Sequence, residues 1–209
     1  MEKKEFGITS FGEKIYSYTM KNDVASVTVL TLGGILQAFN VHGISIVGGY
    51  DTVADYEADD SHQGGLIGRV ANRVADARFE MDGKIYQLPK NDGENCLHGG
   101  MRGFDRRVWT VNEGSDDMIR LSLHAEDGEE GFPGALDVTV IYRLEGSDLL
   151  IDYTAIPQAK TPIALTNHAY FNLNGFGDTI DNHILTLYAN QYTETDAAIL
   201  PTGNRPEVF

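Results

Sequence analysis

Polar and titratable side chains concentrate in three short segments of the sequence. The first is GGLIGRVANRV (64–74), the second is NDGENCLHGGMRGFDRRVW (91–109), and the third is LTNHAYFNL (165–173). Their arginine and asparagine side chains can donate hydrogen bonds to hydroxyl groups, and their histidines can transfer protons near neutral pH. Aromatic faces in the same segments can stack on a sugar ring. These residue types together favour a carbohydrate site.

Each of these residues also has a purely structural interpretation. His168 lies in an apolar and aromatic run, so it could be a packed core residue, a metal ligand or an acid–base catalyst. His98 precedes two glycines and could be a turn residue whose imidazole bonds the backbone. Arg69 and Arg73 could be surface charges. The acidic run at 126–131 is most simply a solvated turn.

Several other chemistries find no support in the motifs. The six histidines show no HxH, HxxH or HExxH spacing, and Cys96 is the only cysteine, so we expect no metal site. No serine occupies a GxSxG elbow. No glycine-rich loop of the Walker or dinucleotide type appears, so we expect no nucleotide cofactor.

Composition limits the partners and the location of the protein. Sixteen basic and thirty-one acidic residues give a formal net charge of -15, a field that repels nucleic acid. The N-terminus lacks the apolar stretch of a signal peptide, and no apolar run is long enough to span a bilayer. A single cysteine allows no intrachain disulfide. We therefore expect a cytoplasmic protein with no membrane or nucleic-acid partner.

The elements that must position these segments are predominantly strands. Alternating and β-branched runs predict strands at 27–32, 78–81, 84–88, 118–123, 137–144, 149–153 and 183–189. Asp82-Gly83 predicts a type I′ hairpin turn, and residues 52–59 predict at most two helical turns. With uneven strand lengths and no linker, the pattern predicts a single all-β domain over 1–209 and favours a sandwich over a barrel.

Taken together, the quoted segments resemble the aldose 1-epimerase, or galactose mutarotase, family. The matching stretches are GRVANRV, RFEMDGKIYQL, NCLHGGMRGFDRRVW, DGEEGFPG, LTNHAYFNL and ILPTG, in the order of the family. The resemblance covers the chain from about residue 25 onward. It implies a large antiparallel β-sandwich, the galactose mutarotase-like supersandwich, with no metal or organic cofactor. The implied substrate is an aldose such as galactose or glucose.

The resemblance also implies roles for individual residues. His168 corresponds to the general acid that protonates the sugar ring oxygen, and His98 to a histidine that contacts the sugar near that oxygen. Asn72 and Arg73 correspond to a sugar-binding pair, and Tyr170 to a wall of the pocket. With these residues the chain is expected to interconvert α and β anomers by opening and closing the hemiacetal ring.

One part of the family pattern is missing from this sequence. In the family, the general-base carboxylate and a sugar-binding aspartate lie beyond the segment that matches ILPTG, and this sequence ends at Phe209. We therefore expect this chain to be the N-terminal two thirds of a longer family domain that is incomplete at its C-terminal end. We expect it to be inactive because the general-base glutamate of the family is missing. Two alternatives stay open: a non-catalytic carbohydrate-binding β-sandwich, and a hexose-6-phosphate 1-epimerase that uses Arg102, Arg106 and Arg107.

Overall fold

The computed structural model describes residues 1–208 and shows a fold built almost entirely of strands. The strands are β1 (Glu2–Ile8), β2 (Lys14–Lys21), β3 (Ala25–Leu30), β4 (Leu36–Val41), β5 (Ile44–Ser45), β6 (Leu66–Ile67), β7 (Arg73–Val74), β8 (Arg78–Met81), β9 (Lys84–Gln87), β10 (Cys96–Leu97), β11 (Thr110–Gly114), β12 (Met118–Ala125), β13 (Leu136–Glu145), β14 (Asp148–Pro157) and β15 (Thr166–Asn167). A short helix, α1 (Val53–Ala58), is capped by the Thr52 side chain. This confirms the helical turn expected near residue 52.

Two antiparallel sheets form the body of the molecule. One has five strands in the order β1-β2-β3-β4-β5, and the other has four in the order β11-β12-β13-β14. Their inward faces share one apolar core, in which Val27 and Val29 of β3 belong to the same cluster as Leu121 of β12 and Val140 of β13. Two sheets that bury one face each against the other make a sandwich, as the sequence predicted.

The clearest sequence patterns are confirmed by the strands that they predicted. In β13, Val138, Val140, Tyr142 and Leu144 are all buried, whereas the residues between them are more exposed. Strands β8 and β9 form the predicted hairpin. Among the strands of five or more residues, β1, β2, β4 and β11 were not predicted. Their segments do not show an alternation as clear as that of β13.

The prediction of a strand at 183–189 is wrong. These residues form no regular secondary structure, and Ile184, Leu185, Leu187 and Tyr188 are 94%, 81%, 65% and 102% exposed. A strand is stable only when a neighbouring strand pairs with its backbone. Within residues 1–208 nothing pairs with this segment, so its apolar alternation does not produce a strand.

Short elements outside the two large sheets carry the polar segments. Strand β10 pairs with β7, and β15 pairs with β6. These two short ladders bring segment 64–74 beside segment 91–109 and beside segment 165–173. A 3₁₀ turn, Phe104–Arg106, lies between them, and Trp109 donates its indole N–H to the Phe104 carbonyl at 3.0 Å. The three segments therefore meet in one region of the fold.

Candidate functional site

Three imidazole rings meet where the short ladders come together. The ring centroids of His98 and His168 are 5.2 Å apart, and those of His62 and His98 are 4.8 Å apart. His62 lies 6.0 Å from His168. His98 follows β10 and His168 follows β15, so each ring is placed by one of the two ladders. The structure thus brings together two histidines separated by 70 positions in the sequence.

The tautomer of His98 is set by a backbone hydrogen bond. The backbone N–H of Asn72 donates to Nδ1 of His98 at 2.9 Å, so the neutral ring carries its proton on Nε2. Burial, followed by the nearby His62 and His168, lowers the pKa of His98 to about 4. At neutral pH this residue is therefore an uncharged hydrogen-bond donor. The structural interpretation of His98, an imidazole that bonds backbone, is confirmed and is compatible with a role in the site.

His168 is held by its backbone at the junction of β6 and β15. Its N–H donates to the Gly65 carbonyl, and its carbonyl accepts from the Gly64 N–H, both at 2.9 Å. The side chain is half-buried, so His168 is not a packed core residue. The ring of Tyr170 lies 5.1 Å away, and its hydroxyl donates to the Ser61 carbonyl at 3.1 Å. Tyr170 therefore forms a wall beside His168.

The arginines of segment 64–74 have different surroundings. Arg73 Nε donates to Asp92 Oδ2 at 2.7 Å, and the Arg73 backbone N–H donates to Asn72 Oδ1 at 2.9 Å. These two hydrogen bonds hold the side chains of Asn72 and Arg73 in place at the site. Arg69 is buried and donates to the Pro133 carbonyl at 2.9 Å, so the interpretation of Arg69 as a surface charge is wrong.

The backbone of the site adopts an uncommon conformation at three residues. His62, Asn72 and His98 have positive φ angles of 58°, 66° and 54°. Such angles are unfavourable for residues with a side chain, except asparagine, aspartate and histidine, which tolerate them best. Residues held in this region cluster at functional sites. Two of these three residues, His62 and His98, belong to the imidazole cluster, and the backbone of the third, Asn72, binds the ring of His98.

A cavity of about 820 Å³ lies beside the cluster, and His62, Asp92 and Asp105 contribute to its wall. Both of the aspartates are engaged by a cationic or imidazole partner: Asp92 accepts from Arg73, and Asp105 accepts from His62. Among residues 1–208, no group of three or more His, Cys, Asp or Glu side chains is arranged to hold a metal ion.

The three arginines considered for a phosphate group are each engaged by protein groups. Arg102 pairs with Glu13 at 3.2 Å, and Arg107 pairs with Glu129. Arg106 donates to the carbonyl of Tyr56 at 2.9 Å. These contacts give no support to a phosphate-binding site.

The acidic run at 126–131 is more than a solvated turn. Glu129 accepts from Arg107, and Glu130 Oε2 accepts the backbone N–H of Met101 at 2.8 Å. These contacts fix the loop that follows His98. The acidic run therefore stabilises the loop beside the site, and none of its residues belongs to the imidazole cluster.

Sequence reasoning missed His62 as a member of the site. It was recognised only as one of six histidines without metal-ligand spacing, and its partner Asp105 lies 43 positions away. No local motif joins two residues at that distance. The one available signal was that His62 lies two residues before segment 64–74, which carries Asn72 and Arg73.

The fold is an antiparallel β-sandwich that brings imidazole, guanidinium and amide groups close together. The sequence profile of the aldose 1-epimerase family matches residues 16–208, so the chain belongs to that family. It is 38% identical to the galactose mutarotase of Rattus norvegicus over 202 residues, which are 94% of this chain and 59% of the relative. It is 39% identical to the aldose 1-epimerase of Escherichia coli over 147 residues, 70% of this chain and 42% of the relative.

Solved structures of aldose epimerases share the fold of this chain. The galactose 1-epimerase of Lactobacillus acidophilus superposes with a TM-score of 0.88 at 29% identity, covering 99% of this chain and 62% of that protein. An aldose epimerase homologue from C. elegans superposes with a TM-score of 0.86 at 32% identity, covering 91% of this chain and 61% of that protein. The chain therefore spans about three fifths of the length of these relatives. No helix within residues 1–208 has the length and apolarity needed to cross a membrane.

Proposed function

We propose that this chain carries the acid side of an aldose 1-epimerase site, which interconverts the α and β anomers of a hexose such as galactose or glucose. The observation that carries this proposal is the pair of imidazoles, His98 and His168, whose centres lie 5.2 Å apart beside Asn72 and Arg73. Membership of the family, together with this pair, favours anomerisation over other acid–base reactions of sugars.

The reaction explains why these residue types are needed. A base removes the proton from the C1 hydroxyl while an acid protonates the ring oxygen, so the bond from C1 to the ring oxygen breaks. Rotation about C1–C2 and closure on the other face, with the two proton transfers reversed, give the other anomer. Each acid or base contributes typically about 10²–10⁴ in rate. His168 is proposed as the acid because it corresponds to the general acid of the family and is half-buried beside His98.

The other residues are proposed to bind and orient the sugar. His98 is uncharged at neutral pH and presents Nε2–H, so it is suited to donate a hydrogen bond near the ring oxygen. Asn72 and Arg73 are proposed to hold the hydroxyl groups. Tyr170, whose ring lies beside His168, is proposed to line the pocket. Correct placement of the sugar supplies a large part of the rate enhancement in such reactions.

The general base is proposed to come from the part of the relatives that this chain does not span. Asp92 and Asp105 in the cavity wall do not suit the role, because Asp92 is paired with Arg73 and Asp105 with His62. We therefore expect this chain to accelerate anomerisation less than a relative of full length does. Equal acceleration, measured by polarimetry, would contradict the proposal that the base is missing.

Replacement of His168 tests the proposed function directly. Anomerisation of α-D-galactose is followed by polarimetry with the unmodified chain, with His168→Asn, and with the control variant His124→Asn. We expect His168→Asn to reduce the acceleration over buffer by about 10²-fold or more, because the acid is lost, and to change galactose binding little. His124→Asn removes an exposed histidine and is expected to leave the rate unchanged.

Two outcomes would overturn parts of this proposal. An unchanged rate in His168→Asn, in a preparation that is active without the change, excludes His168 as the acid. Galactose binding without any acceleration, in a chain extended by the remaining length of its relatives, favours the non-catalytic carbohydrate-binding role.

We also propose that residues 1–209 form one domain that corresponds to the N-terminal part of the longer relatives, and that the protein is cytoplasmic. The shared core of the two sheets supports a single domain, and a single cooperative unfolding transition is the expected result. The buried, unpaired thiol of Cys96 suits a reducing compartment. Recovery of the protein in a secreted or membrane fraction would contradict the proposed location.

A further inference from the structure

The pair formed by His62 and Asp105 is the part of the site to which the family resemblance gives no role. Nδ1 of His62 lies 2.7 Å from Oδ2 of Asp105, and the two side chains are 16% and 4% exposed. The other carboxylate oxygen, Oδ1, has no hydrogen-bond partner within residues 1–208. Arg106 Nε is 3.5 Å from Oδ2. A buried carboxylate with so few donors depends strongly on the imidazole.

Asp105 is fixed in place by close backbone packing. A Cβ atom added to Gly65 would lie 2.6 Å from Cβ of Asp105, and one added to Gly33 would collide with the Asp105 carbonyl. The 3₁₀ turn that carries Asp105 is further held by the hydrogen bond from Trp109 to Phe104. The anchor of His62 is therefore rigid.

His62 in turn contacts the ring of His98. The two rings meet edge to face, with an interplanar angle of 79° and centroids 4.8 Å apart. On another side, the backbone N–H of Asn72 binds Nδ1 of His98. The His98 ring is thus held between a hydrogen bond and an aromatic contact. Asp105 holds the residue that supplies the aromatic contact.

We propose that His62, anchored by Asp105, is a positioning residue that holds the imidazole of His98 so that its Nε2–H can donate to a bound ligand. This inference rests on the proposed function only for the identity of the ligand, a sugar. The contact between the two rings and its effect on His98 exist with or without catalysis. His62 acts through His98.

Electrostatics acts in the same direction as the packing. The titratable and charged groups that surround His62 and His98 are Asp105, Arg106, His168 and Arg73. A protonated His62 disfavours a second positive charge on His98, and Asp105 partly offsets that effect. Burial is the largest cause of the lowered pKa of His98, and His62 is the first of the neighbouring groups. His62 therefore helps to keep His98 an uncharged donor.

The test replaces the ring of His62 and keeps its hydrogen bond. His62 has a positive φ of 58°, a conformation that asparagine tolerates, and the asparagine amide can donate to Asp105 from the position of Nδ1. The pKa of His98 is measured by NMR of ¹⁵N-labelled imidazoles in the unmodified chain, in His62→Asn and in the control His124→Asn. The control removes a second histidine–aspartate pair, which lies on β12 and β13.

We expect the pKa of His98 to rise from about 4 toward its ordinary value in His62→Asn and to stay unchanged in His124→Asn. An unchanged pKa of His98 in folded His62→Asn would overturn the proposal. In the unmodified chain, cross-relaxation between the ring protons of His62 and His98 is expected from their edge-to-face contact, and its absence would also overturn the proposal. This second measurement decides the question if the variant does not fold. Neither measurement depends on anomerisation, so a failure of this proposal can be distinguished from a failure of the proposed function.

Discussion

The chain contains two histidine–aspartate pairs with nearly equal geometry and different surroundings. Nδ1 of His62 lies 2.7 Å from Asp105, and Nδ1 of His124 lies 2.6 Å from Asp137. In the first pair the side chains are 16% and 4% exposed, whereas in the second they are 44% and 57% exposed. The same contact is therefore made once in the interior and once at the surface.

The contribution of a hydrogen bond to stability depends on the burial and the contacts of its two partners. The His124–Asp137 pair joins adjacent strands β12 and β13, where water can replace either partner. The His62–Asp105 pair joins distant segments and touches two further imidazoles, and water cannot readily replace a partner that is buried. We expect the interior pair to affect both the free energy of unfolding and the pKa of His98. We expect the surface pair to have little effect on either.

The largest expected effect is the loss of the buried carboxylate. We expect Asp105→Ala to lower the free energy of unfolding by about 3 kcal/mol, because it leaves a partly buried histidine without its partner. The matched change Asp137→Ala is expected to have little effect on stability, because its pair is exposed. Urea unfolding of both variants measures the difference. Equal losses in the two variants would show that burial does not distinguish the pairs.

A smaller loss of stability is expected when a neighbouring side chain crowds Asp105 and leaves Asp105 itself unchanged. The Cβ added in Gly65→Ala would lie 2.6 Å from Cβ of Asp105, so the 3₁₀ turn must shift, and we expect a loss of about 2 kcal/mol. Gly177→Ala is the control, because an added Cβ there meets nothing within 4 Å. Thermal unfolding compares the two variants. A Gly65→Ala variant as stable as Gly177→Ala would show that Asp105 is loosely held.

The strands with strong local patterns could be predicted from the sequence. In β13 every second residue is apolar, and those residues are the buried ones. Asp82 and Gly83 have φ angles of 54° and 76°, the positive values required by the predicted turn. Strand β1, with the sequence EKKEFGI, could not be predicted in this way, because it lies at the edge of its sheet and buries none of its side chains.

Patterns also fail where the outcome depends on distant partners. The segment at 183–189 has the alternation of a strand and is irregular, because no strand pairs with it within residues 1–208. The same limit applies to the site. His98 and His168 were found through motifs, whereas the pairing of His62 with Asp105 depends on how the turn at Phe104–Arg106 packs against β6. A contact between residues 43 positions apart leaves no local trace in the sequence.

The smallest expected effect is the pH dependence of the surface pair. The hydrogen bond to Asp137 raises the pKa of His124 above its ordinary value of 6.5. A raised pKa in the folded state means that the pair stabilises the protein fully below pH 6.5, and that this contribution disappears as the pH rises through the folded-state pKa. The free-energy difference between the unmodified chain and His124→Asn is therefore expected to be constant in acid and to vanish toward alkaline pH.

His98 has the opposite dependence, because its pKa is lowered to about 4 in the folded protein. The contribution of His98 to stability is present above pH 6.5 and is lost as the pH falls toward 4. The two histidines thus act in adjoining pH ranges, and urea unfolding across pH 4–9 separates them. A difference between the unmodified chain and His124→Asn that grows with pH would contradict the raised pKa of His124. In that case His124 would bind its proton less tightly in the folded state than in the unfolded state, and Asp137 would not act as its partner.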